Sequence, residues 1–244
     1  MPNRNFKYLP FLPAAFVVLS VAVFGVAQQP AGSKHNARPE VVAPGSLTLA
    51  GNHDASARFS YEFSQPEFFI RRIVIEHDVK GHGKITFERL NEEIAFEEPL
   101  ELSSDTTSRI AGLWQALHFL DSEENYQTHR QYPHMGTMRL KMEQDSRKRT
   151  AEFNWTNNKD AVSLVNEYRR IADQALLVFD ISVARENQPL NAPKLMEQLE
   201  SMLKRKALAD PQQLVPLLKD LSTDEHIPLI ARNHAARLLK KIQK

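Results

Sequence analysis

Two histidines and an aspartate flank one turn of this 244-residue chain. His77 and Asp78 end a strand pattern, and His82 follows across a turn that contains Gly81 and Gly83. Imidazole and carboxylate groups are suitable zinc ligands, and a tight turn brings its two sides together. An exposed polar turn accounts for the same residues, because aspartate and glycine are common turn formers. We therefore predict no metal site at this turn.

Three further histidines and one tyrosine are candidates for a functional site. His118 lies beside the apolar face of a predicted helix, where we expect it to be packed or surface-facing rather than catalytic. The loop 126–135 carries His129, Tyr132 and His134. Loops with such residues often form recognition surfaces, but a loop of this length also serves to cover one end of a sheet. The sequence leaves both alternatives open.

Four common catalytic and nucleotide-binding motifs are absent from the sequence. It has no G-x-S-x-G elbow, no phosphate-binding glycine loop, no dinucleotide fingerprint and no H-E-x-x-H helix. It also has no cysteine, which excludes disulfides, thiol catalysis and thiolate metal sites. We predict no catalytic residues, no metal ligands and no cofactor.

The charge of the chain is almost balanced. It contains 31 lysines and arginines against 30 aspartates and glutamates. Nucleic-acid binding depends on neutralising phosphates with an excess of basic groups. We therefore expect no nucleic-acid partner.

Residues 1–27 have the layout of a secretory signal peptide. Arg4 and Lys7 precede an apolar stretch, Phe11 to Val26, which ends in small residues. We predict cleavage between Ala27 and Gln28 and an exported protein, periplasmic or extracellular. The alternative is an uncleaved membrane anchor, but a spanning helix needs about 20 apolar residues and this run is shorter. Such an anchor would be the chain's only membrane contact.

Residues 28–55 resemble a tether more than a folded element. Glycine, alanine, proline, serine and asparagine dominate the segment, and no hydrophobic period is sustained. We predict a flexible linker that precedes the folded part of the chain.

Alternating apolar residues predict strands from Arg58 onward. Phe59, Tyr61 and Phe63 recur at every second position, and β-branched residues dominate the run from Phe68 to His77. Further strands follow at residues 84–89, 93–102, 137–142 and 148–155, with Pro99 indicating an edge strand.

Helical spacing of apolar residues appears twice among these strands. Ser103, Ser104 and Asp105 are candidate caps of the first helix, and Asn158 is predicted to cap the second, which runs to about residue 183. The order ββββ-α-ββ-α favours an α+β domain over residues 56–189, with an antiparallel sheet of about six strands and helices on one face.

Prolines 189 and 193 mark a boundary, after which residues 190–244 form an all-α region. We expect Asp210 and Pro211 to begin one helix and Thr223 to cap the last one. Because about 50 residues have little interior of their own, we expect these helices to pack on the long helix of the preceding domain.

The stretches 210–218 and 227–239, with their leucine and alanine spacing, resemble a HEAT-like helical repeat pair. Fewer than the three repeats of a free solenoid are visible, so the resemblance implies a docked helical appendage. The region from Tyr61 to Arg185 resembles uncharacterised exported bacterial domains, and this resemblance implies no catalytic motif.

Two hypotheses about function follow. In the first, the chain is a non-catalytic envelope protein that binds another protein or an envelope component. In the second, it is a hydrolase or metal-dependent enzyme whose site is assembled from residues distant in sequence, such as His77, Asp78, His82 and Asp121. A pocket with those side chains facing inward would favour the second hypothesis.

Overall fold

The computed structural model describes residues 57–243. The predicted signal peptide, 1–27, and the predicted linker, 28–55, lie outside the described residues. The strands are β1 (Arg58–Ser64), β2 (Ile70–Asp78), β3 (His82–Arg89), β4 (Phe96–Glu101), β5 (Thr137–Gln144) and β6 (Arg147–Phe153). The helices are α1 (Ser104–Ala116), α2 (Lys159–Asn187), α3 (Ala192–Lys204), α4 (Val215–Thr223) and α5 (Leu229–Ile242). The predicted α+β class and the C-terminal helical segment are confirmed.

The six strands form one antiparallel sheet in the order β4-β3-β2-β1-β5-β6. The central strand β1 places Phe59 opposite both His77 of β2 and Met142 of β5. Pro99 lies on the edge strand β4, as predicted, where no further strand needs its missing N–H.

The two faces of the sheet differ in chemistry. On one face Glu62 accepts hydrogen bonds from Arg72 at 2.7 Å and from Arg139 at 2.8 Å, and further ion pairs cross the neighbouring strands. The other face is apolar and lies under α1 and α2. Its buried members include Phe59, Tyr61, Ile75, Ile85, Phe87, Leu140 and Phe153. The period-two pattern in the sequence therefore separates a core face from a solvated face.

Helices α1 and α2 begin at the predicted caps. The Ser103 hydroxyl accepts a hydrogen bond from the N–H of Thr106, and the Asn158 side chain accepts from those of Asp160 and Ala161. Both helices then pack on β1, since Trp114 of α1 contacts Phe59 and Tyr168 of α2 stacks on Tyr61.

Helix α2 has 29 residues and carries two cores. Its first half packs on the sheet, whereas Leu177 and Ile181 in its second half pack with Met196 and Leu199 of α3. Helix α5 packs against both α3 and α4. The C-terminal helices thus share α2 with the sheet. No helix within residues 57–243 is long and apolar enough to cross a membrane.

Several predicted boundaries differ from the observed ones. Strand β2 starts at Ile70 rather than Phe68, and β4 starts at Phe96, which leaves Ile94 77% exposed in the preceding loop. Strand β6 ends at Phe153, so Trp155 is no longer part of the sheet. Each difference concerns an apolar residue at the end of a predicted strand. At such a position, the alternation of apolar and polar residues does not show whether the side chain is buried.

The predicted cap at Thr223 is wrong. Thr223 ends α4, and α5 begins only at Leu229, with Pro228 at its N-cap position. A residue before proline is disfavoured in the helical conformation, so Ile227 cannot join the helix. Asp210, by contrast, accepts a hydrogen bond from the N–H of Gln212 and begins a short 3-10 turn that leads into α4, as predicted.

Candidate functional site

His77 lies on the core face of β2 and is 4% exposed. Its Nδ1 atom is 2.8 Å from the carbonyl oxygen of Asp78, and its Nε2 atom is 2.9 Å from the hydroxyl of Tyr168. Because a carbonyl can only accept, Nδ1 carries the proton and Nε2 accepts from the hydroxyl. Burial lowers the pKa of His77 below its ordinary value, which favours this neutral form.

The hydroxyl of Tyr168 joins three elements of the core. It donates to His77 on β2 and accepts a hydrogen bond from the indole Nε1 of Trp114 on α1 at 3.0 Å. Burial raises the pKa of Tyr168 well above its ordinary value, so the hydroxyl keeps its proton. Both nitrogens of His77 are therefore engaged in structural hydrogen bonds.

Asp78 and His82 lie on the exposed side of the turn. Burial tends to raise the pKa of the Asp78 carboxyl, but hydrogen bonds from the N–H groups of His82 and Lys80 hold it below its ordinary value. The His82 ring is mostly exposed, 3.9 Å from the same carboxylate. His77, Asp78 and His82 line one groove of about 390 Å³, but both ring nitrogens of His77 are already engaged by the Asp78 carbonyl and the Tyr168 hydroxyl. Within residues 57–243, no three histidine, aspartate or glutamate side chains form a metal-binding group.

A cleft of about 550 Å³ lies between α1 and the sheet, and we call it the histidine cleft. It is bounded by the ends of β1, β2, β5 and β6 that lie beside α1. Its wall consists mainly of the buried side chains of Phe59, His77, Ile110, Trp114 and Phe119, together with the half-buried Met142. This volume is within the range of small-molecule sites in proteins.

Exposed polar residues surround the mouth of the histidine cleft. Gln115, His118, Asp121 and Arg147 all line it and are solvent-exposed. The Arg147 guanidinium donates to the Asp121 carboxylate at 2.6 Å. Of the four residues named for an enzymatic site, the cleft thus contains His77 and Asp121, whereas Asp78 and His82 lie outside it.

His118 is held at the mouth by an unusual backbone conformation. Its φ angle of 43° is in the left-handed region, and its carbonyl accepts hydrogen bonds from the N–H groups of Asp121 and Ser122. This turn ends α1 and directs Asp121 toward Arg147. His118 is accordingly surface-facing, one of the two positions that the sequence allowed.

The loop with His129, Tyr132 and His134 packs on the end of β6. The Asn154 side chain accepts a hydrogen bond from the N–H of Tyr132 at 3.0 Å, and the Tyr132 ring lies 5.4 Å from that of Trp155. These contacts favour the alternative in which the loop covers the sheet end.

A second surface lies at the opposite end of the sheet and was not found from the sequence. Four exposed apolar side chains, Phe68, Phe69, Leu90 and Met135, form what we call the aromatic end. Phe68, Phe69 and Met135 line one groove of about 700 Å³, and the N–H of Leu90 donates to the carbonyl of Phe69. The two adjacent phenylalanines were the available signal: in the strand predicted from Phe68, neighbouring side chains point to opposite faces, so only one of the two could enter the core.

Sequence reasoning also missed Trp114, Phe119 and Arg147 as cleft residues. Trp114 and Phe119 fit a helix core, and Arg147 fits an ordinary turn, so nothing local distinguishes them.

Comparison with known protein families finds no matching family model, and no curated protein is significantly similar to the chain.

Proposed function

We propose that this chain is an exported, non-catalytic binding protein of the cell envelope, and that the histidine cleft is its binding site. Export is supported by the basic, apolar and small-residue layout of residues 1–27. Binding is supported by the preformed cleft, whose wall is apolar and whose mouth is polar.

The observation that carries the proposal is the state of His77 within the cleft. An acid–base or metal-binding histidine needs a ring nitrogen that is available to substrate or metal. In His77 one nitrogen donates to a carbonyl and the other accepts from Tyr168. The ring therefore contributes shape and apolar surface to the cleft. The enzymatic alternative is supported by two observations: His77 and Asp121 line the histidine cleft, and His77, Asp78 and His82 line a second groove of about 390 Å³.

Ligand binding in the histidine cleft can be tested with a substitution that fills the cleft with a larger side chain. Ala111 lines the cleft from α1, whereas Ala116 lies on the same helix, is exposed and does not line it. Thermal-shift screening of small amphipathic compounds against the mature protein should find ligands that raise its melting temperature. Ala111→Phe should abolish those shifts, and the matched control Ala116→Phe should retain them. Shifts that persist in Ala111→Phe, or a screen without any ligand, would show that the cleft is not a binding site.

Export is tested separately from binding. The processed protein should begin at Gln28 when its N-terminus is sequenced. Recovery of the intact precursor from carbonate-washed membranes would instead support the uncleaved anchor.

A second candidate function is protein binding through the aromatic end. Phe69 is 61% exposed, and Phe68, Leu90 and Met135 lie on the same surface. Contiguous exposed apolar side chains of this kind are typical of protein-binding surfaces. A photoreactive residue at position 69 should give one discrete protein adduct in cells, and Phe68→Ser should remove it. A probe at Leu190, which is 84% exposed elsewhere on the chain, is the matched control. Equal labelling from both positions would contradict a specific surface.

A further inference from the structure

The mouth of the histidine cleft presents two opposite charges side by side. Arg147 begins β6, and Asp121 follows the turn after α1. Their side chains are 53% and 70% exposed and are joined at 2.6 Å. Exposed ion pairs of this kind contribute little to stability, so each partner can pair with a charged ligand group instead.

We propose that the histidine cleft binds a free α-amino acid with an apolar side chain. The proposal rests on the binding function proposed above and names the chemical class of its ligand. The ligand carboxylate pairs with Arg147, its ammonium group pairs with Asp121, and its side chain enters the apolar part of the cleft.

The spacing of the two charges selects an α-amino acid among zwitterions. The Arg147 and Asp121 groups are one hydrogen bond apart, so the ligand must carry its own opposite charges on groups that lie close together. An α-amino acid does so, because its ammonium and carboxylate groups share one carbon. When the ligand binds, the ion pair between Arg147 and Asp121 is replaced by two ion pairs, one from each residue to the ligand. The net charge at the mouth of the cleft does not change, because the ligand is a zwitterion.

The wall of the cleft selects the side chain. The rings of Phe59 and Trp114 lie 5.5 Å apart, and those of Trp114 and Phe119 lie 4.7 Å apart at nearly right angles. Aromatic side chains pack favourably on such surfaces in offset and edge-to-face arrangements. A volume of about 550 Å³ is sufficient for an aromatic amino acid, and we therefore expect phenylalanine to bind better than alanine.

Binding is measured through the fluorescence of Trp114. The chain has two tryptophans, so Trp155→Phe leaves Trp114, which lines the cleft, as the only reporter. L-Phenylalanine, which does not absorb at the wavelengths that excite tryptophan selectively, should give a saturable change. Arg147→Gln and Asp121→Asn should each weaken binding by about tenfold or more, because each removes a charge-assisted hydrogen bond. Lys148→Gln, which removes the neighbouring cation, should leave the affinity unchanged.

Ligand analogues separate this proposal from the more general one. 3-Phenylpropionate lacks the ammonium group, 2-phenylethylamine lacks the carboxylate, and glycine lacks the side chain, so each should bind at least about tenfold more weakly. If neutral 2-phenylethanol binds as tightly as L-phenylalanine and Ala111→Phe abolishes both, the cleft is a binding site but the amino-acid assignment is wrong. If L-phenylalanine gives no saturation up to its solubility limit, or binds equally well to Ala111→Phe, the assignment is also wrong.

Discussion

The hydroxyl of Tyr168 on α2 donates to Nε2 of His77 on β2 across 2.9 Å, although the two residues are 91 positions apart in sequence. Since the same oxygen accepts from Trp114, one hydroxyl group satisfies polar atoms on α2, β2 and α1. All three side chains lie in the core, where an unsatisfied polar atom is costly. His77 thus joins α2 and α1 to β2 through the Tyr168 hydroxyl.

Tyr168→Phe should destabilise the protein by about 1–3 kcal/mol, because it leaves the His77 nitrogen and the Trp114 N–H without a partner in the core. Urea unfolding at neutral pH gives the change in free energy. Tyr132→Phe is the matched control, because Tyr132 is only half-buried and contacts His134 and Trp155 through its ring, which phenylalanine retains. Equal effects of the two variants would contradict a structural role for the Tyr168 hydroxyl.

The stability of the protein should fall as the pH decreases below about 6.5. Burial lowers the pKa of His77, and the hydrogen bond to the Asp78 carbonyl and the charge of the Asp78 carboxylate only partly oppose this effect. Below pH 6.5 the unfolded chain takes up a proton at His77 that the folded chain does not, which favours unfolding. This loss amounts to at most about 1.4 kcal/mol per pH unit until the folded pKa is reached.

Comparing pH 7.5 with pH 5.5 isolates this contribution. The free energy of unfolding should decrease between the two values in the natural protein and decrease less in His77→Gln. A variant with the same pH dependence as the natural protein would show that His77 does not titrate differently in the two states.

Two glycines should respond in opposite ways to alanine. A Cβ atom at Gly83 of β3 would lie 1.8 Å from the carbonyl oxygen of Glu76, so Gly83→Ala must displace the β2–β3 ladder and strongly destabilise the fold. A Cβ atom at Gly112 of α1 would meet nothing within 4 Å. Gly112→Ala should therefore stabilise the protein by about 0.5–1 kcal/mol, because alanine is the better helix former. Thermal unfolding of both variants checks the sign of each change.

The fold was predictable because its signals are local and periodic. Phe59, Tyr61 and Phe63 alternate along β1, and Ser103 and Asn158 begin their helices with the side-chain oxygens that the sequence makes evident. The role of Gly83 was not predictable, since the sequence suggests a turn glycine whereas the strand register places it against the backbone of β2.

The candidate site was less predictable because it depends on which elements meet. His77 and Tyr168 are adjacent only because α2 crosses β1 and β2 on the core face. Arg147 and Asp121 meet because the β5–β6 hairpin returns to the end of α1, and no local pattern reports such an encounter.

Side-chain hydrogen bonds attach the C-terminal helices to the rest of the protein. The Gln174 amide of α2 donates to the carbonyl of Asp210 at 3.0 Å and accepts from the N–H of Asp210 at 2.9 Å. The Arg185 guanidinium pairs with the buried carboxylate of Asp224, and hydrogen bonds from His226 and Arg185 lower the pKa of that carboxyl to about 2 despite its burial. These contacts accompany the apolar packing on Leu177 and Ile181.

The final prediction is that residues 190–244 do not fold separately from the sheet. The fragment 28–189 retains Leu177 and Ile181 but loses the helix α3 that covers them, so it should melt at a lower temperature than the mature protein and bind more of a hydrophobic dye. Met196→Ala, at a fully buried position of α3, should cost about 2–5 kcal/mol, whereas Leu190→Ala, at an exposed position, should cost little. If the fragment melts at the same temperature as the mature protein, the C-terminal helices form an independent module. The sheet would then be stable without the apolar cluster that α3, α4 and α5 form with Leu177 and Ile181.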